Sequence, residues 1–455
     1  MMMLSEASTA MQGQLNGVDV HFESVEIDTR RLEANALYFA IHGESKNGHD
    51  FIAAAAARDA AAAVADESFI DEQATPHIRV DDTTIALGML AAHWRQQFSV
   101  PVVGITGSNG KTTVCRIVSC LFAEHIPGVM PQGSFNNHWG VPLTLLKLRE
   151  QHQSAVIEMG MNHAGELSYL GKIVAPDIAV ITNAAAAHLE GLKTIEGVAQ
   201  AKGELIDFVR DSGTVILNRD DDYFREWKVR AGTRNCLSFG EHVDADVRVL
   251  GAKGSRLSLS IKGTTVTFDY PLIGRHNRLN AAAAIAVACT AGVPVEAIEA
   301  GLKNVSAVSG RLDAIQISPG LLLIDDSYNA NLASMRAAID VLADQAGIKV
   351  LVLGAMGELG TASKQIHESV GAYARDKGID RFFTLVDENT PAYAQDMAAY
   401  LQGFGAGAVA FNELRALVEK LESTVTPATI LVKGSRFTRM ERVVEALRPA
   451  GEKSC

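Results

Sequence analysis

Gly104-Ile-Thr-Gly107-Ser-Asn-Gly110-Lys111-Thr112-Thr113 is the stretch that decides the fold. It follows an apolar run, Val100 to Ile105, and precedes apolar residues spaced three and four apart between Val114 and Phe122. That spacing predicts one face of a helix. A strand, a glycine-rich loop and a helix in this order form a phosphate-binding loop, in which backbone N–H groups and the positive end of the helix face an anion.

The loop departs from the common pattern Gly-x4-Gly-Lys-[Ser/Thr], because Ile105 occupies the first glycine position. A tight strand-to-helix turn that binds nothing is the alternative. Gly-Lys-Thr at the predicted helix start favours a nucleotide, since Lys111 would reach the terminal phosphates and Thr112 would offer its hydroxyl to Mg²⁺. We therefore predict that the nucleotide contacts Gly107, Ser108, Asn109, Gly110, Lys111, Thr112 and Thr113.

Length and composition indicate a globular protein of several domains. A chain of 455 residues corresponds to about three domains. The net charge of −12 argues against general affinity for nucleic acid. We find no apolar segment long enough for a membrane span and no secretion signal, and the five cysteines show neither CxxC nor zinc spacing. These features predict a cytoplasmic protein with reduced thiols.

The pattern along the chain predicts an α/β fold of three domains. We expect a small N-terminal α/β domain over residues 1–98, with short strands near Val18–Phe22 and Leu37–Ile41 and a helix near Phe51–Arg58. Residues 99–310 should form a central P-loop domain with a doubly wound, mostly parallel sheet and a β-rich insertion. Residues 311–455 should form a Rossmann-like sheet. Ligands of such sheets bind beyond the carboxyl ends of the strands.

Several polar residues near these strand ends have two interpretations each. Glu158 follows a strand and is either a capping or surface acid or a Mg²⁺ ligand. His188 is either a packed, hydrogen-bonding histidine or a metal ligand. By position alone, Lys202 is a solvated helix lysine. Asn277 and the pair Asp325-Asp326 are either helix caps or parts of a site.

The motifs in their order along the chain resemble those of the Mur ligase family, from about residue 28 to about residue 442. After the phosphate loop, the resemblance rests on Phe135-Asn-Asn137-His-Trp-Gly140, Glu158-Met-Gly160, Ala187-His188-Leu-Glu-Gly, Ala201-Lys202-Gly-Glu204, Gly274-Arg-His276-Asn277-x2-Asn280, Ser309-Gly-Arg311 and Asp326-Ser-Tyr-Asn329-Ala-Asn331. The resemblance implies an ATP-dependent ligase, which converts a carboxylate into an acyl phosphate that an amine then attacks.

The resemblance also implies roles for single residues. The catalytic residues would be Lys111, Glu158, His188 and Lys202. ATP would be bound with two Mg²⁺ ions, whose ligands would be Thr112, Glu158, His188 and a carbamylated Lys202. Adenine would lie near Asn277 and Asn280, and Arg311 and Asp326 would contact phosphates and ribose from the C-terminal domain.

Within the family, the chain resembles the branch that adds D-alanyl-D-alanine to UDP-N-acetylmuramoyl-tripeptide during peptidoglycan precursor synthesis. Tyr328-Asn-Ala-Asn331, Gly357-Glu-Leu-Gly360 and Lys433-Gly-Ser-Arg436 are similar to that branch, and Asp-Asn-Pro-Arg, usual in the diaminopimelate-adding branch, does not occur. The N-terminal domain would bind the UDP-sugar, the central domain ATP and the C-terminal domain the dipeptide. The implied substrate-binding residues are Asp28, Thr29, Arg30, Asn137, Tyr328, Asn329 and Asn331.

The chain departs from this branch at three positions, Ala186, Leu332 and Ala355. Leu332 and Ala186 replace prolines and alter turn stiffness, whereas Ala355 removes a carboxylate from the C-terminal rim. We expect a monomer with no nucleic-acid or membrane partner. Two alternatives stay open: a folylpolyglutamate-type ligase, which lacks the UDP-sugar domain, and a nucleotide switch that ligates nothing.

Overall fold

The computed structural model describes residues 1–43, 45–69, 76–131, 133, 135–386 and 390–448. Three α/β units follow one another along these residues, each built on its own sheet. The predicted fold class is therefore confirmed. Among the described residues, no helix combines the length and the apolar character needed to cross a membrane.

The N-terminal unit is a five-stranded sheet with a short two-stranded ribbon. Elements are numbered in chain order; the sheet runs β2 (Gln14–Asn16), β7 (His77–Arg79), β6 (Ala62–Ala65), β5 (Ala36–Phe39), β4 (Ser24–Glu26), and the ribbon pairs β1 (Met2–Met3) with β3 (His21–Phe22). The helices are α1 (Leu4–Ala10), α2 (Ile52–Ala56) and α3 (Thr83–Gln96). Only β2 is antiparallel to its neighbour in the sheet. The predicted strand at 18–22 is shorter than expected and covers residues 21 and 22 alone.

The central unit is a nine-stranded sheet whose first seven strands are parallel. Its order is β9 (Gly128–Val129), β10 (Ser154–Glu158), β8 (Val102–Thr106), β11 (Ile178–Ile181), β12 (Thr214–Asn218), β13 (Asn235–Gly240), β14 (Val247–Lys253), β15 (Arg256–Ile261), β16 (Thr264–Asp269). The antiparallel strands β15 and β16 complete the predicted β-rich insertion. The helices are α4 (Lys111–Phe122), α5 (Gly140–Leu145), α6 (Glu166–Val174), α7 (Leu189–Leu192), α8 (Ile195–Gly203), α9 (Phe224–Ala231), α10 (Arg275–Thr290) and α11 (Val295–Lys303).

The central strands are apolar along their whole length because both faces of the sheet are covered. In β8, Val102 belongs to the core on one face, and Val103 and Ile105 belong to the core on the other. A parallel sheet covered by helices on both faces needs such strands. The first of these cores also contains Leu4, Phe22 and other residues of the N-terminal unit, so the two units share one apolar interior.

The C-terminal unit is a six-stranded sheet with its own two cores. Its order is β17 (Asp313–Ser318), β18 (Leu321–Asp326), β22 (Ala428–Lys433), β19 (Ile348–Leu353), β20 (Arg381–Leu385), β21 (Ala408–Phe411). The helices are α12 (Leu332–Ala343), α13 (Ser363–Asp376), α14 (Ala394–Phe404), α15 (Leu414–Glu422) and α16 (Glu441–Leu447). Only β17 is antiparallel to its neighbour.

A buried guanidinium joins the N-terminal and central units. Arg95, at the end of α3, is 1% exposed, and burial lowers its pKa to about 10. It donates to the carbonyl oxygens of Val174 and Phe98 and lies 3.0 Å from Oδ2 of Asp177. Asp177 also accepts from the backbone N–H of Val102, at the start of the phosphate-loop strand. The same ion pair therefore fixes one helix of the N-terminal unit and one strand end of the central sheet.

We expect Arg95→Met to lower the free energy of unfolding by about 3 kcal/mol, because the change removes the guanidinium donor of two carbonyls and the buried ion-pair partner of Asp177. Arg210→Ala is the matched control, since Arg210 contacts Asp177 at 3.3 Å with a side chain that is 40% exposed. Arg210→Ala should lower the free energy of unfolding by less than about 1 kcal/mol. Urea unfolding followed by tryptophan fluorescence measures both, and equal losses would contradict the role given to Arg95.

Candidate active site

A cleft of about 960 Å³ lies between the central and C-terminal sheets. Both sheets turn the carboxyl ends of their parallel strands toward it, which is where α/β sheets bind ligands. Its lining contains Ser108, Asn109, Gly110, Lys111, Thr112, Thr113, Asn136, Glu158, His188, Asn277, Asn280, Arg311, Asp326, Tyr328, Asn329, Asn331, Glu358, Lys433 and Arg436. The structure thus brings most of the predicted site residues together.

The phosphate loop is held open by the end of the neighbouring strand β11. The backbone N–H groups of Ser108 and Asn109 donate to Asn183, and Thr182 Oγ1 donates to the carbonyl of Asn109 at 2.6 Å. Gly110 has φ 84° and lies directly against the side chain of Asn280, so both its conformation and its space require glycine. The loop is therefore shaped before any ligand binds.

Lys111 and Thr112 begin helix α4 at the inner end of this loop. Lys111 Nζ donates to the carbonyl of Gly107 at 2.8 Å. Burial lowers the pKa of Lys111, an effect that the nearby Glu158 opposes. The hydroxyl of Thr112 is buried without a hydrogen-bond partner among the described residues. A buried cation and a free hydroxyl at a helix start suit an anionic ligand with an attached metal ion.

Glu158, at the end of β10, is 1% exposed, so the surface and capping interpretations were wrong. Its Oε1 accepts from Asn136 Nδ2 at 2.6 Å, whereas its Oε2 is buried and has no hydrogen-bond partner in the described part of the chain. A buried carboxylate oxygen without a hydrogen-bond partner destabilises the folded state unless a bound ligand supplies the missing contact. Together with the Thr112 hydroxyl, it forms a set of oxygen donors that fits Mg²⁺.

The neighbouring asparagines of the Phe135-Asn-Asn137 motif have different roles. Asn137, the predicted substrate residue, is exposed and accepts from the backbone N–H groups of Trp139 and Gly140, so it caps the start of α5. Asn137 does not line the described part of the cleft, and its contact with substrate stays a prediction. Asn136 instead faces the cleft and orients Glu158. Nothing in the local pattern distinguishes these two identical side chains.

His188 lies on the cleft at a point where the central and C-terminal units touch. Its Nδ1 is 3.1 Å from Oε2 of Glu358, a residue of the loop after β19. Both residues have left-handed backbones, with φ 57° and 62°. Through this contact His188 lowers the pKa of Glu358. Glu358 belongs to the motif Gly357-Glu-Leu-Gly360 but was not among the predicted site residues, because only the folded chain brings the two units together.

Lys202 is 1% exposed in the last turn of α8, so the solvated-lysine interpretation was wrong. Burial, followed by the positive charge of Lys111, lowers its pKa well below the ordinary lysine value. A buried ammonium beside a second cation is unfavourable. This environment therefore favours the neutral amine.

Three cations and an aromatic ring lie on the C-terminal wall of the cleft. The guanidinium of Arg311 lies 4.3 Å from the ring centroid of Tyr328, and that of Arg436 lies 5.8 Å from it. Lys433 Nζ is 2.7 Å from Asp326 Oδ2 and donates to the carbonyl of Asn329. The wall is positively charged and opposes the phosphate loop.

The helix after the paired aspartates is capped by Asn331, not by Asp325 or Asp326. Asn331 Oδ1 accepts from the N–H of Ser334 in a capping box. Its Nδ2 also donates to Asn109 Oδ1 at 2.8 Å, which links the C-terminal unit to the phosphate loop. Asp325 accepts from the hydroxyl of Ser327, inside the turn that follows β18.

Asn277 and Asn280 form a hydrogen-bonded pair at the start of α10. Asn280 Nδ2 donates to Asn277 Oδ1 at 3.1 Å, and Asn277 Nδ2 donates to the carbonyl of Ile273. The oxygen of Asn277 therefore does not cap the helix. Burial lowers the pKa of the adjacent His276 to about 4, helped by Lys433. The Asn277–Asn280 pair and the neutral His276 make this end of the cleft polar.

Asp28, Thr29 and Arg30 lie outside the cleft, in the turn after β4 of the N-terminal unit. Arg30 Nε and Nη2 both donate to the Asp28 carboxylate, at 2.9 and 2.6 Å, and this hydrogen bonding lowers the pKa of Asp28 to about 2. The Arg30 side chain is 83% exposed. If these residues bind substrate, they contact a part of it that is remote from the phosphate loop.

Comparison with known proteins matches all three units to one family. Residues 21–95 match the Mur ligase family catalytic domain, residues 105–288 the Mur ligase middle domain, and residues 310–436 the Mur ligase glutamate ligase domain. The chain is 38% identical to the UDP-N-acetylmuramoyl-tripeptide–D-alanyl-D-alanine ligase of Escherichia coli, over 98% of both chains. It is 34% identical to the ligase of the same name from Bacillus subtilis, over 93% of this chain and 92% of that one.

Solved structures agree with these sequence matches. MurF from Acinetobacter baumannii superposes with a TM-score of 0.89 at 33% identity, covering 97% of this chain and 98% of that one. MurF ligase from Thermotoga maritima in complex with ADP gives a TM-score of 0.83 at 26% identity, covering 93% and 97%. From its three matched domains and its near full-length relatives, the chain belongs to the Mur ligase family.

Proposed function

We propose that this protein is the ATP-dependent ligase that joins D-alanyl-D-alanine to UDP-N-acetylmuramoyl-tripeptide in peptidoglycan precursor synthesis. The observation that carries the proposal is the cleft in which the phosphate loop of one sheet faces the cationic wall of another. The Escherichia coli and Bacillus subtilis relatives carry the name of this activity and match nearly the whole chain. The ADP complex of the Thermotoga maritima relative supports ATP as the nucleotide.

The reaction requires activation of a carboxylate, because hydroxide is a poor leaving group. The terminal carboxylate of the tripeptide attacks the γ-phosphorus of ATP, the bond to the β–γ bridging oxygen breaks, and ADP leaves behind an acyl phosphate. The neutral amine of the dipeptide then attacks the acyl carbon, the acyl–oxygen bond breaks to release phosphate, and the nitrogen loses a proton as the amide forms. Phosphoryl transfer depends on positioning and on neutralising charge. The loop N–H groups and Lys111 would supply both at the terminal phosphates, while Arg311 would approach from the C-terminal wall.

We propose that two Mg²⁺ ions bind on the central side of the cleft. Thr112 would bind the first, and Glu158, His188 and a carbamylated Lys202 would hold or orient the second. Mg²⁺ supplies charge stabilisation at the phosphoryl oxygens when bound. Asn136 would orient Glu158 toward the ion through its 2.6 Å hydrogen bond.

We propose that Lys202 is carbamylated, and its buried environment and the family resemblance support this proposal. The neutral amine adds to CO2 to form a carbamic acid, which then loses a proton to become a carbamate. This change replaces a buried cation with an anionic oxygen donor, and the adjacent Lys111 would stabilise the new charge. The modified side chain would match the oxygen preference of Mg²⁺.

We propose that each domain binds a different part of the reactants. Residues 1–98, with Asp28, Thr29 and Arg30, would bind the UDP-sugar end of the first substrate. Residues 99–310 would bind ATP, with adenine near Asn277 and Asn280. Residues 311–455, with Tyr328, Asn329 and Asn331, would bind the dipeptide, and Asp326 would contact the ribose. We further propose that the enzyme is a cytoplasmic monomer.

We expect D-alanyl-D-alanine to be the preferred acceptor, at least about tenfold faster than diaminopimelate or lysine. The physical reason is that the turn from Tyr328 to Asn331 and the stacked pair Tyr393–Phe437, with ring centroids 4.4 Å apart, enclose the C-terminal side of the cleft. A pocket fitted to one acceptor discriminates by about tenfold or more against misfitting ones. Phosphate release with a panel of acceptors and UDP-muramoyl peptides measures this preference.

The same assay separates the two alternatives. Folate and glutamate should not stimulate phosphate release, whereas a folylpolyglutamate-type ligase would respond to them. ATP turnover that ignores every added peptide would instead indicate a nucleotide switch. If diaminopimelate or lysine is ligated as fast as the dipeptide, the proposed acceptor is wrong.

A further inference from the structure

Three metal-ligating side chains meet at the edge of the N-terminal sheet, away from the cleft. Asp66 directly follows β6, His42 follows β5, and His49 lies in the 3-10 helix Gly48–Phe51. Because β5 and β6 are parallel neighbours, their carboxyl ends reach the same edge of the sheet. One donor atom from each of the three side chains lies within 4.8 Å of the other two. None of the three residues lines the described part of the active-site cleft.

The distances among the donor atoms approach those of a coordination shell. His42 Nε2 lies 2.7 Å from Asp66 Oδ2, and His49 Nε2 lies 3.5 Å from Asp66 Oδ1. Nitrogen and oxygen ligands about 2.1 Å from a tetrahedral ion lie about 3.4 Å from one another. The two imidazole rings are close, with centroids 4.7 Å apart. His42 is half exposed, so its ring is free to turn toward a shared ion.

The hydrogen bonds around His49 leave its Nε2 as the electron-pair donor. Asn47 Oδ1 accepts from the backbone N–H of His49, which identifies that atom as the amide oxygen. The same oxygen is 2.8 Å from His49 Nδ1, so Nδ1 carries the proton and donates. The lone pair of Nε2 points toward Asp66, whose backbone N–H it accepts at 3.2 Å. A metal-ligating imidazole usually donates its other N–H to an oxygen in this way.

The carboxylate of Asp66 is oriented from its outer side. Its Oδ1 accepts from both the backbone N–H and the hydroxyl of Ser68, at 2.9 and 2.6 Å. These bonds fix the carboxylate plane while Oδ2 faces His42. Ser68 and Asn47 therefore hold two of the three ligands from behind, as the outer partners in metal sites do.

We propose that His42, His49 and Asp66 form a binding site for one Zn²⁺ ion. Two imidazoles and one carboxylate suit Zn²⁺, whereas Mg²⁺ prefers oxygen ligands alone. The fourth position faces solvent, on the side where His42 is exposed. The ion replaces the direct contact between His42 and Asp66 and the 3.2 Å hydrogen bond from the Asp66 backbone N–H to His49 Nε2. It thereby links the segment after β5 to the end of β6.

The test measures Zn²⁺ binding to the full chain by competition with a chromophoric chelator, with excess Mg²⁺ present to occupy the active site. His42→Ala and Asp66→Asn should each weaken binding by at least about tenfold. His93→Ala is the matched control, because His93 lies in the same unit and pairs with Glu6 at 3.1 Å, without a second imidazole in that pair. The control should bind Zn²⁺ like the wild type.

A second readout reports the coordination itself. Co²⁺ bound to the wild type should show the intense visible absorption of a four-coordinate ion, and His42→Ala should lose it. Zn²⁺ should also raise the melting temperature of the wild type and of His93→Ala more than that of His42→Ala. The proposal is overturned if the wild type binds no Zn²⁺ under these conditions, or if His42→Ala and His93→Ala bind it equally.

Discussion

Lys111→Ala should yield a folded protein whose ATP turnover is about a hundredfold to a thousandfold lower. The ammonium supplies positive charge at the terminal phosphates in a buried site, where one lost donor has an effect of this size. Its removal should not unfold the chain, because burial already disfavours the charged form of Lys111. Phosphate release under saturating substrates measures the loss, and circular dichroism verifies the fold.

The matched control for this variant is Lys172→Ala, which removes an exposed lysine from helix α6 of the same unit. Its turnover should equal that of the wild type. Near-normal turnover in folded Lys111→Ala would remove the basis for assigning the nucleotide to this loop.

Lys202 should be required for ligation although its side chain is hidden from solvent. Lys202→Ala and Lys202→Met should both lower the rate about a hundredfold, because neither variant can carry a carbamate toward the metal site. Met fills most of the buried volume, so equal losses in the two variants separate the chemistry from packing. Carbon-13 NMR after equilibration with labelled bicarbonate should show a carbamate signal in the wild type and in Lys172→Ala only.

A high-resolution map of the Mg²⁺-bound enzyme grown with bicarbonate supplies the direct observation. Three extra atoms should extend from Nζ of Lys202 toward Glu158 and His188. An unmodified amine in that map, or undiminished ligation by Lys202→Ala, would return this residue to a purely structural role.

The phosphate loop and the strand and helix that flank it were predictable from the sequence because they depend on neighbouring residues. Runs of four to six apolar residues between helical patterns predict buried parallel strands, and Gly110-Lys111-Thr112 at a helix start predicts anion binding. Strand β8 begins and ends within two residues of the apolar run from Val100 to Ile105. Local pattern was sufficient there.

The remaining features depend on contacts between distant parts of the chain. The burial of Lys202 results from packing of α8 within the central unit, so its position in a helix indicated a surface residue incorrectly. The roles of Asn136 and Asn137 depend on where β10 and α5 lie around them. Glu358 contacts His188 only because the C-terminal unit packs against the central unit at the cleft. No local periodicity contains this information.

The shared interior of the first two units makes the two joints of the molecule mechanically unequal. Separating residues 1–98 from the central sheet would expose a common apolar core. The free-energy cost would be about 25 cal/mol for each Å² of apolar surface exposed. At the other joint, Ile273 alone among the described residues before 311 packs against the C-terminal cores. The Asn331–Asn109 hydrogen bond and the His188–Glu358 contact are polar links across this joint. We therefore expect any opening of the cleft to move the third unit relative to the first two together, a change that small-angle scattering with and without nucleotide would detect.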